Sequence, residues 1–306
     1  MYTYYDNGLE NTEVWKSAGG TPVNTITYSY NENNQLLTAN DANGTCTFTY
    51  DEHGRMRTQK DIWGLTLTFS YDAADRLTQV DDSLSGTRTY TYDTADRVTT
   101  ITFSDGSAQL RGDFTYSNRN EVTDIKRYTD TAGTTLESES VLAYNDGGSV
   151  TTITHKNGGG TTLDSFVYQY DSTGKVTQET SNGDPTRNYT YDATDQLTGD
   201  GTNTYSYDLN GNRTLAGYST TTGNRLTTDG TWNYTYDDEG NRNTKTKISN
   251  NEYWTYAYDN SNRLTDVKKY ASNGGALQQE VKFSYDVFGN RIEKDVDGDG
   301  NGSFEP

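Results

Sequence analysis

Along almost the whole chain, aromatic or aliphatic residues alternate with small polar ones, and the alternation breaks off at regular intervals in a short polar run. Phe48-Thr49-Tyr50, Phe69-Ser70-Tyr71, Tyr90-Thr91-Tyr92 and Phe283-Ser284-Tyr285 each place two rings two residues apart, which sets both on one face of a β-strand. With the second ring as anchor, the pattern recurs at Tyr30, Tyr50, Tyr71, Tyr92, Tyr116, Tyr144, Tyr170, Tyr191, Tyr207, Tyr236, Tyr258 and Tyr285, on average about 23 residues apart. The residue after the anchor is Asp, Asn or, at Ser117, Ser, all able to accept a backbone N–H two residues on. Four residues after the anchor stands Gly, Asn or Asp without exception, the residues that tolerate a left-handed backbone.

These columns predict a strand, a tight loop built on a type I turn and closed by a left-handed residue, and a returning strand that opens with Arg-Leu-Thr, as in Arg76-Leu77-Thr78 and Arg263-Leu264-Thr265. After Gly211, Gly240 and Gly289 the sequence reads Asn-Arg instead, an apparent one-residue shift that predicts small bulges. The far connections, such as Asp81 to Gly86 and Asn157 to Gly160, vary in length and read as surface loops. One hairpin is marginal in water, so each must pair with its neighbours. About 24 strands at ~4.8 Å each would make a flat sheet on the order of 115 Å wide, whereas twisted open sheets rarely exceed about ten strands without curling or splitting. The expected fold is therefore all-β: tandem antiparallel hairpins in a spiralling, curled sheet, whether hollow tube, open barrel or partial shell. One repeat domain is expected over residues 1–292, followed by an acidic, Gly-rich tail over 293–306.

Composition sharpens the picture. Hydrophobic residues make up 30% of the chain even with tyrosine counted, against the roughly 45–50% apolar usage of ordinary domains. Burial must rest on amphipathic rings, since 26 Tyr stand against 8 Phe and 4 Trp. Acidic residues number 44 and basic ones 25, giving −19, so the surface repels phosphate backbones and nucleic acid is not an expected partner. No window approaches the ~20 apolar residues of a membrane helix, and no export signal precedes Asp6. The single Cys46, spaced alternately with Phe48 and Tyr50, reads as a packed side chain.

Written as Tyr-Asp-x-x-Gly-Arg-Leu-Thr, the repeat resembles the YD or Rhs repeat, and the resemblance covers nearly the whole chain. That family includes bacterial Rhs and wall-associated polymorphic toxins, cocoon-forming components of Tc toxin complexes and the animal teneurins. The resemblance implies a ribbon of hairpins wound into a hollow shell, an extracellular or cell-surface setting, and, as partners, other segments of a longer polypeptide or an enclosed cargo. In the toxins such shells end in a self-cleaving core rich in Asp-Pro and Gly. No such core is present among Pro22, Pro185 and Pro306, so cleavage and payload do not carry over. The chain opens in mid-repeat and is expected to be a fragment or a small member.

The most specific local motif is Asp295-Val296-Asp297-Gly298-Asp299-Gly300-Asn301-Gly302-Ser303. It resembles an EF-hand calcium loop, with oxygen side chains at positions 1, 3, 5, 7 and 9 and glycine at 6. This makes Asp295, Asp297, Asp299, Asn301 and Ser303 candidate Ca²⁺ ligands, although Pro306 holds the twelfth position and no helix flanks the loop. The repeated turn aspartates need no chemistry to explain them. His53 and His155 show neither zinc spacing nor a triad with a serine. Arg55, Arg76, Arg97 and Arg263 are expected to stack on aromatics or pair with turn carboxylates. Five Asn-x-Ser/Thr sites, at Asn43, Asn188, Asn212, Asn233 and Asn301, add nothing in a bacterial host. The reading is a non-enzymatic shell or scaffold module with no catalytic residue. The alternatives are an adhesion or carbohydrate-binding module using tyrosines such as Tyr90 and Tyr92, or a filament subunit that self-associates through open terminal strands.

Overall fold

The structure is a computed structural model and describes residues 1–305; Pro306, the twelfth position of the tail loop, lies outside the described residues. Every regular element among them is a β-strand, 27 in all, and every pairing is antiparallel. The twelve sequence breaks fold into one turn. At Asp72, the backbone N–H donates to Arg76 O (2.9 Å) and receives its return bond from Asp75 N–H to Asp72 O (3.1 Å). Its Oδ1 accepts from Ala74 N (2.9 Å) and Arg76 N (3.0 Å), so the carboxylate replaces the strand partner that the turning backbone lacks. The left-handed residue is present in all twelve: Asn34, Asp75, Asp96, Asn120, Asp195 and Asn262 have φ between 58 and 67°, and the six glycines from Gly54 to Gly289 in this column lie between 80 and 94°.

The strands register the same way in each hairpin. A bulge falls immediately before the anchor tyrosine, between Ser70 and Tyr71, Thr235 and Tyr236, Ala257 and Tyr258, and Ser284 and Tyr285. The shift expected only at the Gly-Asn-Arg turns is thus not what distinguishes them. Tyr236 faces Arg242 and Tyr285 faces Arg291 in the same register in which Tyr71 faces Leu77 and Tyr258 faces Leu264. Arginine simply stands in the leucine column, where Arg242 lies 4.5 Å from the Tyr256 ring centre and Arg291 5.5 Å from that of Phe283.

The chain divides into two compact units, one of Met1–Thr47 with Tyr205–Pro306 and one of Phe48–Thr204. In the first, the strands from Tyr2–Tyr4 to Leu36–Asp41 pair in chain order. A separate eight-stranded sheet runs from Tyr218–Thr221 to Arg291–Asp297, also in chain order. The two sheets meet through Asn43 Nδ2 donating to Tyr285 O (2.9 Å), Asn260 Nδ2 donating to Lys16 O (3.2 Å) and Arg263 lying 5.2 Å from the Trp15 ring centre. The last strand crosses position 292, and an antiparallel bridge between Val296 and Glu305 folds the tail back on it. The second unit is a meander from Met56–Lys60 to Arg187–Asn188, followed by the short pair Thr190–Tyr191 and Leu197–Gly199.

The repeat at Tyr205-Ser206-Tyr207-Asp208 forms no strand, only the isolated bridge Tyr207–Arg213. Its turn persists nonetheless, with Asp208 N–H on Asn212 O at 2.9 Å and φ of 82° at Gly211. Burial is as thin as composition requires: Ile26, Ala39, Cys46 and Phe48 are the buried hydrophobic residues among those described. Cys46 faces Ala39 across its strand pair, as a packed small side chain should.

Gly174 isolates the backbone term of the turn, because its φ is +87° and a Cβ there would meet nothing within 4 Å. Gly174→Val is expected to cost about 1–2 kcal/mol by chemical denaturation, whereas Gly174→Asn should cost only a few tenths. Equal costs would show that side-chain packing, not φ, sets the requirement.

Candidate functional site

The recurrent charged residues form a clasp between successive hairpins. Arg76 donates from Nε to Asp72 Oδ2 (2.8 Å) in its own turn. Its Nη1 reaches the next turn, donating to Asp96 Oδ1 (2.6 Å), while its guanidinium lies 4.7 Å from the Tyr92 ring centre. Arg55 repeats this with Asp51, Asp75 and Tyr71, and Arg97 with Asp93, Asn120 and Tyr116. Arg263 joins Asp259 to Asp286 O and Tyr285, and Lys175 joins Asp171 to Asp195 as a point charge. Both roles expected of these arginines are thus filled at once, with ion pairing to the home turn and stacking on the next tyrosine.

The tyrosine closes the clasp from the other side. Tyr71, Tyr92, Tyr116, Tyr144, Tyr170 and Tyr285 donate their hydroxyl protons to Met56 O, Leu77 O, Val98 O, Val122 O, Val150 O and Leu264 O, at 2.5 to 2.9 Å. Each acceptor lies two residues past the left-handed position of the preceding hairpin. Anchor hydroxyls such as that of Tyr92, read as a sugar contact, are therefore spent on carbonyls. Where asparagine takes the arginine position the link is neutral and shorter in reach: Asn241 Nδ2 donates to Asn262 Oδ1 (2.9 Å) and Asn212 Nδ2 to Asn224 Oδ1 (3.1 Å).

One further turn, outside the Tyr-Asp columns, belongs to the same series. Gly223 and Asn224 are left-handed, Arg225 Nη1 donates to Asp237 O (3.3 Å), and Tyr236 donates to Leu226 O (2.7 Å). No Tyr-Asp precedes it, but Asn224-Arg225-Leu226-Thr227 is identical to Asn262-Arg263-Leu264-Thr265 and was the signal available.

In the tail, Asp297 is fully buried and acts as a turn residue. Its carboxylate accepts from the backbone N–H groups of Gly300 (2.8 Å), Asn301 (3.2 Å) and Gly302 (2.8 Å). Asp299 accepts from the Asn301 side chain, and Asn301 in turn accepts from Ser303 N. Asp295 lies on the last strand opposite Lys282. Among the described residues no group of three His, Cys, Asp or Glu side chains is placed to hold a metal. His53 is a turn residue whose N–H bonds Asp51. His155 lies with Nδ1 3.0 Å from Ser140 Oγ, and Ser140 Oγ accepts from Arg127 Nη1 at 3.0 Å. Cross-strand register brings them together. The His155 neighbour on the other side, Asp164, accepts from Ser165 N.

Electrostatics follow the clasp. Hydrogen bonds from the Arg76 and Arg97 side chains hold Asp72 and Asp93 below the usual carboxylate range, with the turn amides adding to the effect. Burial pushes Tyr71, Tyr92, Tyr144 and Tyr170 above the ordinary phenol value of 10.0. A depressed carboxylate stabilises the fold above its unfolded value of 3.8 and loses that contribution as pH falls through the folded value. A raised phenol stabilises it below 10.0 and loses that contribution as pH climbs through the folded value. Stability is therefore expected to be flat between about pH 5 and 9 and to fall on both sides. Circular dichroism along an acid and an alkaline titration checks this, and Arg76→Gln should move the acid limb upward. A fold that gains stability between pH 9 and 11 would contradict the tyrosine bonds.

Residues 2–126 match the family model described as Teneurin YD-shell. Among solved structures, those of TcdB2-TccC3-TEV and TcdB2-TccC3 are similar over 97% of this chain at 15% identity with a TM-score of 0.48. The Photorhabdus luminescens Tc holotoxin pore is similar over 97% at 16% identity with a TM-score of 0.47. This chain spans about 15% of the length of the first and third of these and 16% of the second. A comparison with curated proteins finds no match. The Teneurin YD-shell match covers residues 2–126, and the turn found there recurs beyond it as far as Asp286.

Proposed function

We propose that the chain is a non-enzymatic structural module, a shell or scaffold segment of a secreted or surface-exposed protein that encloses or holds other polypeptide. The observation that carries this reading is the clasp. The side chains that recur in repeat after repeat, and that could otherwise have served as acids, bases or ligands, are engaged in tying one hairpin to the next. The match to a YD-shell model over residues 2–126 supports the same role. Size-exclusion chromatography with negative-stain imaging tests it: discrete particles are expected, and fibres would favour the filament alternative. Glycan-array binding lost in Tyr90→Ala with Tyr92→Ala would instead favour adhesion.

Calcium at Asp295, Asp297, Asp299, Asn301 and Ser303 is the second proposal for this chain, at a loop already turned by the three amides on Asp297. Calorimetric titration with millimolar Ca²⁺ tests it. Saturable heat that disappears in Asp297→Ala with Asp299→Ala is the expected result, and absence of saturable heat, or heat unchanged in that variant, overturns the metal reading.

A further inference from the structure

Three tryptophans of the first unit sit on strands beside cations, and two of them bring their own carboxylate. Trp15 donates its indole N–H to Glu13 Oε1 and Trp254 donates to Glu252 Oε1, both at 2.7 Å and both to the residue two positions earlier. Glu252 also faces Lys269, 3.7 Å away. Trp232 stands in the same kind of position, but the residue two before it is Gly230. A glutamate there would be strained, since Gly230 has φ of +80° and its Cβ would lie 3.3 Å from Gly217 Cα. The nearby carboxylate, Asp229, is spent on Thr231 N, Trp232 N and the Tyr234 hydroxyl.

The cations at Trp232 are left in the same condition. Lys245 lies between the Trp232 and Trp254 rings, 4.4 and 4.5 Å from their centres, and Lys247 lies 5.7 Å from that of Trp232. Among the described residues neither lysine forms an ion pair, and the Trp232 indole N–H has no acceptor. Burial between the rings pushes Lys245 below the usual lysine range, with the nearby Arg242 and Lys269 charges adding to the effect and Glu252 opposing it. All these side chains are half-buried and remain open to solvent. An indole donor without an acceptor, beside two ammonium groups that share the single carboxylate of Glu252 with Lys269, is a place where a further anion can be received.

We propose that Trp232, Lys245 and Lys247 form a binding site for the carboxylates of an extended acidic polypeptide segment, one carboxylate taking at Trp232 the place that Glu252 takes at Trp254. Two features choose this ligand. Glu252 shows that the combination of indole N–H and lysine on this sheet is satisfied by a carboxylate. Lys245 and Lys247 are alternate residues of one strand, so their stems are spaced by about two strand rises, ~6.8 Å. That is the spacing of alternate side chains on an extended chain carrying Glu-x-Glu. The site does not depend on the scaffold reading, because it would bind such a segment whether or not the module forms a shell.

The test is titration of the full chain, ¹⁵N-labelled, with the capped peptide Glu-Thr-Glu-Thr-Glu, following the indole N–H resonances. The Trp232 resonance is expected to shift saturably while those of Trp15 and Trp254 move far less. Lys245→Met and Lys247→Met should each weaken binding at least tenfold, and Lys60→Met should leave it unchanged. Trp232→Phe keeps an aromatic face and deletes the donor, so binding, followed here by the backbone amide resonances of Lys245 and Lys247, should weaken with the circular dichroism spectrum intact, which separates loss of the site from loss of the fold. Absence of a saturable shift, or affinity unaltered in both lysine variants, overturns the proposal. Equal affinity for oligogalacturonate overturns the choice of a peptide, and equal affinity for tripolyphosphate overturns the choice of a carboxylate.

Discussion

The structure depends on one carboxylate used twice. The turn aspartate first satisfies the amides of its own loop, which fixes the reversal, and with its remaining oxygen it holds the arginine that reaches the next loop. Without the first contact the chain would not turn where it does. Without the second, successive hairpins would be joined by backbone ladders, the tyrosine hydroxyl bonds and a thin layer of half-buried rings. With Ile26, Ala39, Cys46 and Phe48 the buried hydrophobic side chains among the described residues, the protein cannot rely on a core, so directional bonds repeated along one edge take over that work.

The clasp also explains why tyrosine rather than phenylalanine occupies the anchor. The ring supplies a face for the arginine and a donor for a carbonyl of the preceding hairpin. Phenylalanine is tolerated two residues earlier, at Phe48, Phe69, Phe114 and Phe283, where only the face is needed. Serine or threonine between the two rings points to the opposite face and meets its counterpart on the returning strand, as in Ser29–Thr38 and Thr235–Thr244. Each residue of the repeat thus answers to a different neighbour.

What could be read from the sequence follows from how far each interaction reaches. The turns were legible because donor, acceptor and left-handed residue lie within five positions of one another. The hydroxyl-to-carbonyl bonds were not, because donor and acceptor are separated by connections of variable length, 15 residues for Tyr71 and 22 for Tyr144. The shift inferred for the Gly-Asn-Arg turns failed for a related reason. Register is set by the bulge at tyrosine, so an arginine entering the leucine column changes chemistry without moving the strand. His155 and Ser140, and Trp232 with its lysines, are brought together by pairing between strands, which periodicity along one strand does not reveal.

The ties run along a single margin of each sheet, the one that carries the tyrosine turns, and each reaches only the adjacent hairpin. The opposite margin carries the connections whose lengths differ, such as those at Asp82 to Gly86 and Thr129 to Thr135. A substitution, insertion or grafted peptide on that margin perturbs two strands and leaves the clasp untouched. The two margins are therefore open to change at different rates: one is constrained to repeat itself, and the other is free to diverge from hairpin to hairpin.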